Sequence, residues 1–378
     1  MPTSKTVLVC GNSEDRYARD ETIMSALQRL PNWKVLDCRF KSDRWARFPF
    51  QGRALNNAIL RIGRKTLLTR IRRAITRNQI HAALIMKLNP GYFFTVSRWT
   101  KPLQIPTIYD LWVSRYLVEH RDRVETPVAS NEEHAVIQGS DYLMATTEAY
   151  REFYATAYRC DPRKIFTVPL AVPDDWLLKK PSITGNKHAF VVAYWGWFLK
   201  QHGVDVALQA AEQLNAHREI QFRFYGNPPG AVLDTLRKNA NGNLEYCGYV
   251  GDRDKMIQCV DQADVCFGHL RPIHDAHLML PNKALEGMAR SKVVVHVESP
   301  LLARQYATMG MREGPVLFFK GGSFGLAESI LFLRDRRRLM ESIGCTARQQ
   351  IVQQHSVAVV ATAIQQCLES TYSKSFTG

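Results

Sequence analysis

The residues with the clearest chemical potential lie in one short segment, Pro281-Asn282-Lys283 followed by Glu286. Pro281 begins a predicted helix, and Lys283 and Glu286 share one face of its first turns, since residues three apart are neighbours on a helix. A cation at this position can meet a phosphate, and a carboxylate can accept hydrogen bonds from two ribose hydroxyls. The spacing alone also fits an ordinary surface ion pair.

A glycine-containing loop offers backbone amides to an anion. Gly196 follows a predicted strand, Gly203 precedes a predicted helix, and Lys200 lies between them. Because backbone N–H groups of such a loop bind anions, it could cradle a diphosphate, with Lys200 supplying positive charge. Two later strand ends look similar, and their candidate residues are Tyr225, Gly226, Tyr249 and Val250.

The first half of the chain also carries polar residues after its predicted strands. Gly11 and Asn12 follow the first strand, and Arg19 stands where the next helix begins, a position that suits an anion or a solvated arginine. Asp110 ends a later strand, where a carboxylate can orient a sugar hydroxyl or cap the next helix. Two further candidates follow it, Trp112 and Ser114.

Other reaction classes find little support. Asp252 and Asp254 imitate a metal-binding D-x-D motif, but they follow a glycine and precede a predicted helix, which favours helix capping. The histidines show no metal-ligand spacing, and no G-x-S-x-G elbow of a serine hydrolase occurs. We therefore expect neither a metal nor a resident cofactor.

Composition and charge are those of a basic protein with two domains. Of the 378 residues 46% are hydrophobic and 22% charged, as in ordinary globular proteins, and no run of about 18 apolar residues could span a bilayer. The net charge of +15 favours an anionic partner. Eight scattered cysteines without a C-x-x-C pair, and a first strand not preceded by a signal peptide, indicate the reducing cytosol.

Short β-rich segments alternate with amphipathic ones, which predicts an α/β protein with parallel sheets. The predicted strands are 6–10, 34–38, 82–86, 107–109, 142–145, 165–168, 189–194, 220–225, 244–246, 265–269, 293–297 and 316–319. A polar segment near residue 180 marks a linker. We expect an N-terminal domain over 1–180, to which a C-terminal helix at 357–372 could return, and a C-terminal domain over 187–356.

One basic segment, Arg53–Arg77, lies outside these motifs. It contains no acidic residue, and its basic residues are Arg53, Arg61, Arg64, Lys65, Arg70, Arg72, Arg73 and Arg77. Interleaved aliphatic residues make it a basic amphipathic helix, which is typical of binding to an anionic membrane surface. A solvated domain face is the main alternative, and nucleic-acid binding is a weaker one.

The order and spacing of these motifs resemble glycosyltransferase family 4. Pro281-Asn282-Lys283 with Glu286, followed by the strand at 293–297, is similar to the donor-site segment of that family, and the loop from Gly196 to Gly203 resembles its phosphate loop. The resemblance implies a GT-B fold, with two Rossmann-like domains and a cleft between them. It also implies a nucleotide-sugar donor as co-substrate, no metal, and transfer with retention of anomeric configuration.

The chain departs from the family pattern where charge is expected. Many members carry an E-x7-E pair, but the first glutamate is replaced here by Leu278. Trp197 and His202 occupy the places of an arginine and a lysine in the phosphate loop. The charge of a diphosphate would then be met by Lys283, Lys200, Arg271 or backbone dipoles.

Taken with these patterns, the resemblance implies a metal-independent, retaining glycosyltransferase, and the candidate catalytic residues are Asp110, Lys200 and Lys283. The C-terminal domain would bind the donor, and the N-terminal domain would present a lipid-linked or polysaccharide acceptor near Gly11, Asn12, Arg19, Trp112 and Ser114. We expect the protein in the cytoplasm or peripheral at the inner face of the membrane. A glycosyltransferase that modifies nucleic acid and a non-catalytic nucleotide-sugar-binding relative are the other hypotheses.

Overall fold

The computed structural model describes residues 4–13, 17–41, 53–86, 90–111, 131–178, 189–196, 198, 202–238, 242–306 and 314–374. The chain divides into two compact units, residues 1–171 with 357–378, and residues 172–356. Each unit contains a six-stranded parallel sheet with flanking helices, as the alternation of patterns predicts. None of the helices in the described ranges has the length and apolar character that a membrane span requires.

The first unit is built from six strands and six helices within the described ranges. The strands are β1 (Lys5–Ser13), β2 (Trp33–Lys41), β3 (Ala82–Met86), β4 (Thr107–Asp110), β5 (Tyr142–Ala145) and β6 (Ile165–Thr167). The helices are α1 (Ala18–Gln28), α2 (Arg53–Arg77), α3 (Pro90–Thr100), α4 (Asn131–Gly139), α5 (Glu148–Ala157) and, after the second unit, α15 (Val357–Lys374). The strand order is β2-β1-β3-β4-β5-β6.

The second unit has six strands and nine helices in the part of the chain described. The strands are β7 (Phe190–Trp195), β8 (Ile220–Tyr225), β9 (Leu244–Gly248), β10 (Val265–Phe267), β11 (Val293–Val297) and β12 (Val316–Phe319). The helices are α6 (Asp175–Leu178), α7 (Val204–Gln213), α8 (Gly230–Lys238), α9 (Arg253–Asp261), α10 (His274–Leu278), α11 (Asn282–Ala289), α12 (Pro300–Gln305), α13 (Gly322–Arg334) and α14 (Arg337–Gln354).

Both sheets reverse their strand order at one point. In the second unit the order is β12-β11-β10-β7-β8-β9, so the chain winds outward in both directions from the neighbours β7 and β10. Strands such as β3, β7 and β11 are buried at every position, because helices cover both faces of a parallel sheet. In doubly wound sheets the crevice beyond the carboxyl ends of strands at the reversal is the usual ligand site.

The last helix of the chain belongs to the first unit. Val360, Ile364 and Leu368 of α15 lie in the same buried cluster as Ile23 and Leu27 of α1. An apolar stripe at helical spacing is thus covered by another helix rather than by solvent.

The boundary between the units lies earlier than the predicted linker. Residues from 172 onward group with the second unit, whereas the sequence pattern placed them in the first up to residue 180. The reason is a set of hydrogen bonds that the sequence does not reveal. Arg290 donates to the carbonyl oxygen of Trp176 at 3.1 Å, and Arg348 donates to that of Leu177 at 2.6 Å.

Helix α2 coincides with the predicted basic helix, but its aliphatic side chains do not face outward where they are described. Leu67, Ile71 and Ile75 are buried in a cluster of the first unit, so the expectation that they could enter a bilayer is wrong for these three. Among the side chains described on this helix, the exposed basic ones are Lys65, Arg70, Arg72, Arg73 and Arg77. The described part of the helix, residues 65–77, therefore contributes a cationic surface while its largest aliphatic side chains face the core.

Candidate functional site

The carboxyl ends of β7, β8 and β9 carry three glycines that bring their loops close together. Gly196 donates its N–H to the carbonyl oxygen of Tyr225 at 3.2 Å, and Gly226 donates to that of Gly248 at 2.9 Å. The φ angle of Gly226 is 139°, and a Cβ there would lie 2.4 Å from the oxygen of Gly196, so only glycine fits. Gly196 itself is exposed, and no atom of the described residues beyond its chain neighbours lies within 4 Å of its Cβ position.

Lys283 reaches this strand edge from α11. The helix begins at Asn282, with Pro281 in extended conformation before it. The Nζ atom of Lys283 lies 4.0 Å from the ring centroid of Tyr194, near the end of β7, and the residue is 7% exposed. Among the described residues this Nζ has no hydrogen-bond partner. Burial lowers the pKa of Lys283 to about 7.

Glu286 lies one turn further along α11 and contacts the last residue of β7. The indole Nε1–H of Trp195 donates to Oε2 of Glu286 at 2.8 Å. Sequence reasoning missed Trp195, because the two residues are 91 positions apart and tryptophan at a strand end ordinarily signals a core position. The contact brings the predicted ribose-binding carboxylate to the same strand as the predicted phosphate-binding lysine.

Three histidines form a row beside these residues. The ring centroid of His269 lies 5.3 Å from that of His202 and 5.7 Å from that of His296. His296 is fully buried on β11, and burial lowers its pKa to about 4. Its Nδ1 lies 2.6 Å from the carbonyl oxygen of Val297, which makes Nδ1 the protonated nitrogen and leaves Nε2 as an acceptor.

The remaining predicted donor-site residues differ in what they can offer a ligand. Gly203 immediately precedes α7 and has φ 71°, and a Cβ there would lie 2.8 Å from Cβ of Leu270. Arg271 is not a free cation, because its Nε donates to Asp205 at 3.1 Å. Tyr225 is buried, its backbone carbonyl accepts from Gly196 at the strand edge, and its contact with a donor stays a prediction.

Tyr249 and Val250 follow β9, and Tyr249 is 67% exposed. Asn282 lies beside Lys283, and its buried Oδ1 has no hydrogen-bond partner in the part of the chain that the structure describes. Trp197 and Lys200 lie outside the described residues, so their predicted contacts with a diphosphate stay predictions.

In the first unit, Arg19 and Asp110 form a buried ion pair. Arg19 Nη2 lies 2.7 Å from Asp110 Oδ1, both side chains are 0% exposed, and Arg19 Nη1 donates to the carbonyl oxygens of Val168 and Pro169. Every described contact of this pair is internal. The pair ties β4 and α1 to the loop after β6, and the acceptor-binding role of Arg19 and the catalytic role of Asp110 stay predictions.

The structure describes little of the other residues predicted to bind the acceptor. Gly11 has φ 125°, and a Cβ there would lie 1.7 Å from the carbonyl oxygen of Met86, so the glycine is required by the close approach of β1 and β3. The backbone of Asn12 belongs to β1, whereas its side chain is outside the description. Trp112 and Ser114 also lie outside the described residues.

The D-x-D segment caps a helix, as its sequence context predicts. Asp252 precedes α9, and its Oδ1 accepts from the backbone N–H of Lys255 at 2.9 Å. Asp252 therefore has a structural role at the start of α9.

The two parallel sheets with flanking helices have the α/β architecture of GT-B glycosyltransferase structures. Residues 189–334, which contain the glycine-lined strand ends, Lys283 and Glu286, match the family model described as glycosyl transferases group 1. Matching the chain to curated protein sequences yields no significant relative. The family match over residues 189–334 supports glycosyl transfer as the class of function.

Several solved structures share the fold at low sequence identity. HepE from Anabaena, in complex with UDP, has a TM-score of 0.69 and 14% identity, over 97% of this chain and 100% of that one. Sucrose-phosphate synthase from Thermosynechococcus elongatus has a TM-score of 0.69 and 12% identity, over 98% and 100%. A mutant of TarM from S. aureus has a TM-score of 0.60 and 16% identity, over 80% and 59%.

Proposed function

We propose that this protein transfers a sugar from a nucleoside-diphosphate sugar to an acceptor. The observation that carries the proposal is the amine of Lys283, which is buried at the strand-order reversal and lacks a hydrogen-bond partner in the described part of its unit. A buried amine without a partner is costly to the folded state, so its presence points to an anion that binds beside it.

The chemistry of the site suits a diphosphate leaving group. Lys283 would place positive charge next to the phosphate on which negative charge develops as the bond to the sugar breaks. The N-terminus of α7, which begins at Val204, adds backbone N–H groups that lack partners within the helix. In the family pattern an arginine and a lysine occupy the positions of Trp197 and His202. Lys283 and the N-terminus of α7 would supply the positive charge that those two residues provide elsewhere.

The nucleoside would lie on the other side of Lys283. Glu286, held by Trp195, has a carboxylate that can accept hydrogen bonds from two ribose hydroxyls. Tyr249 and Val250, at the end of β9, would contact the base, since Tyr249 is 67% exposed. UDP is the first probe to test, because the HepE structures contain UDP or UDP-glucose.

The finer features of the reaction are also proposals. We propose a metal-independent transfer with retention of configuration, to a lipid-linked or polysaccharide acceptor. The TarM structure contains fondaparinux, α-GlcNAc-glycerol and UDP, and this lends support to a glycan acceptor. The resemblance to family 4 in the segment from Pro281 to Glu286 supports the same assignment.

An anionic partner fits the exposed side of α2. Lys65, Arg72, Arg73 and Arg77 are exposed on this helix, and the chain carries a net charge of +15. A membrane with anionic lipids would attract such a surface electrostatically, which would suit an enzyme whose acceptor is lipid-linked.

Binding of nucleotides tests the proposal directly. A panel of UDP, GDP, ADP and CDP and their glucose conjugates is screened by thermal unfolding, and a donor at a hundred times its dissociation constant should stabilise the fold by about 2.7 kcal/mol. Release of nucleoside diphosphate from the stabilising conjugate, with and without EDTA, then measures catalysis. Binding without any turnover favours a non-catalytic relative, and no binding to any member contradicts the proposal.

A further inference from the structure

The side chain of Trp195 is oriented by its place in the sheet. It is the last residue of β7 and is 5% exposed, yet its only polar atom, Nε1, donates to Oε2 of Glu286 at 2.8 Å. Indole nitrogen can donate but cannot accept a hydrogen bond, so the contact requires an acceptor and favours the ionised carboxylate.

Packing prevents the indole from moving away independently of α11. Gly287, next to Glu286, lies so close to the sheet that a Cβ there would be 3.0 Å from Cβ of Cys266 and 3.5 Å from Cη2 of Trp195. Cys266 pairs in register with Ala193, and Trp195 lies two residues further on the same face of the sheet. The helix therefore lies directly against the indole, and the carboxylate of Glu286 is fixed relative to β7.

A free glutamate side chain would lose rotamer freedom when it binds a ligand, and this loss weakens binding. The hydrogen bond from Trp195 removes much of that freedom beforehand and occupies one carboxylate oxygen. We propose that Trp195 is a positioning residue for the donor ribose: it holds the Glu286 carboxylate in the orientation in which it meets the ribose hydroxyls. This inference rests on the proposed function.

Comparing a ribonucleotide with its dideoxy analogue tests the positioning role. If Trp195 only stabilised the fold, its replacement would not change the affinity difference between the two nucleotides. The affinities of wild-type protein and Trp195→Phe for UDP and for 2′,3′-dideoxy-UDP are measured by calorimetry, or with the ADP or GDP pair if one of those binds more tightly. We expect Trp195→Phe to weaken binding of the ribonucleotide about tenfold, as loss of one charge-assisted hydrogen bond would. Binding of the dideoxy analogue should be unchanged.

Trp33→Phe is the matched control, because Trp33 is 7% exposed in the first unit and should leave both affinities unchanged. Equal weakening of both nucleotides by Trp195→Phe, or no weakening of either, would overturn the positioning role. The indole ¹⁵N–¹H resonance lost in Trp195→Phe identifies Trp195, and it should shift upfield in Glu286→Ala even without nucleotide. If that resonance does not move, the hydrogen bond itself is refuted. If it moves but no nucleoside diphosphate binds, the proposed function fails, and the ribose role fails with it although the contact exists.

Discussion

The Nζ atom of Lys283 lies 4.0 Å from the ring centroid of Tyr194, so the electron-rich face of that ring lies next to the buried amine. A ring quadrupole attracts a cation weakly compared with a carboxylate, so it can hold the amine in place without neutralising it. The site thus keeps a positive charge available for an anionic ligand. Both residues come from elements that meet where the strand order of the second unit reverses.

Replacing Lys283 with Met should separate stability from binding. Removal of a buried amine without a partner is expected to leave the unfolding free energy unchanged or to raise it by about 1–2 kcal/mol. Affinity for the nucleoside diphosphate should fall at least tenfold. Chemical denaturation and calorimetry check the two expectations.

Lys292 supplies the matched control for that experiment. Its Nζ donates to the carbonyl oxygen of Asp261 at 2.6 Å, so Lys292→Met leaves a carbonyl without a donor and should destabilise the protein while sparing nucleotide affinity. Retained nucleotide affinity in Lys283→Met would show that Lys283 is a structural residue.

Donor binding should weaken as pH rises above neutrality. In the free protein the pKa of Lys283 is lowered to about 7 by burial, and a bound diphosphate would raise it by favouring the ammonium form. Binding therefore takes up a proton above pH 7, and affinity should fall by up to about tenfold per pH unit until the pKa of the complex is reached. Nearby His296, whose pKa is lowered to about 4, and Tyr194, whose pKa is raised, stay neutral between pH 7 and 9.

Calorimetry from pH 7.5 to 9, in buffers of different ionisation enthalpy, measures the proton uptake directly. Lys283→Met should abolish it, and uptake that persists in this variant would assign the proton to another group. The stability of the ligand-free protein should depend on pH in the opposite direction to ligand affinity. Between about pH 7 and pH 10.5 Lys283 is protonated in the unfolded state but not in the folded state, so its contribution to the unfolding free energy rises with pH.

Glu286→Ala should reduce nucleotide affinity by roughly 2–4 kcal/mol, since two hydrogen bonds to a charged acceptor would be lost. The loss should appear for ribonucleotides and nearly vanish for their 2′,3′-dideoxy analogues. Far-ultraviolet circular dichroism should be unchanged. Unaltered affinity for the ribonucleotide would contradict the ribose assignment.

Arg19 and Asp110 should behave as a structural pair. Arg19→Leu or Asp110→Leu alone leaves one buried charge without its partner and is expected to cost about 3–5 kcal/mol of unfolding free energy, whereas the double variant should recover part of that loss. A double-mutant cycle by urea denaturation measures the coupling. If either single variant abolishes transfer without loss of stability, the acceptor-site role of that residue is supported.

The cationic surface of α2 should bind anionic vesicles in a salt-dependent manner. Each Lys or Arg near such a surface contributes about 1 kcal/mol, and this attraction falls within a Debye length. Replacing Arg72, Arg73 and Arg77 with Glu should abolish sedimentation with phosphatidylserine vesicles at low salt. The same change at Arg237, Lys238 and Lys255, which are exposed on the second unit, should not. Binding to duplex DNA but not to vesicles would favour the nucleic-acid alternative.

The sequence by itself determined where many of the strands and helices form, and it pointed to one candidate segment for binding the donor. Apolar β-rich runs such as 82–86 and 293–297 became buried strands at the predicted residues, because a run of that composition gains most when helices cover both its faces. The helix start at Pro281 fixes that Lys283 and Glu286 share a face, which is a local property, whereas their donor-site role came from the resemblance to family 4. The capping role of Asp252 is local in the same way.

Tertiary structure alone decided which charges are available to a ligand. Asp110 ends β4 and Arg19 lies at the start of α1, and only the fold reveals that they pair with each other across 91 positions in the interior. Lys283 resembles a surface lysine in sequence, and only the packing of α11 against the sheet makes it buried. Trp195 reads as a core residue until the same packing brings Glu286 to its indole nitrogen. Burial and long-range partners depend on how strands are ordered in the sheet, which residue spacing along the chain does not encode.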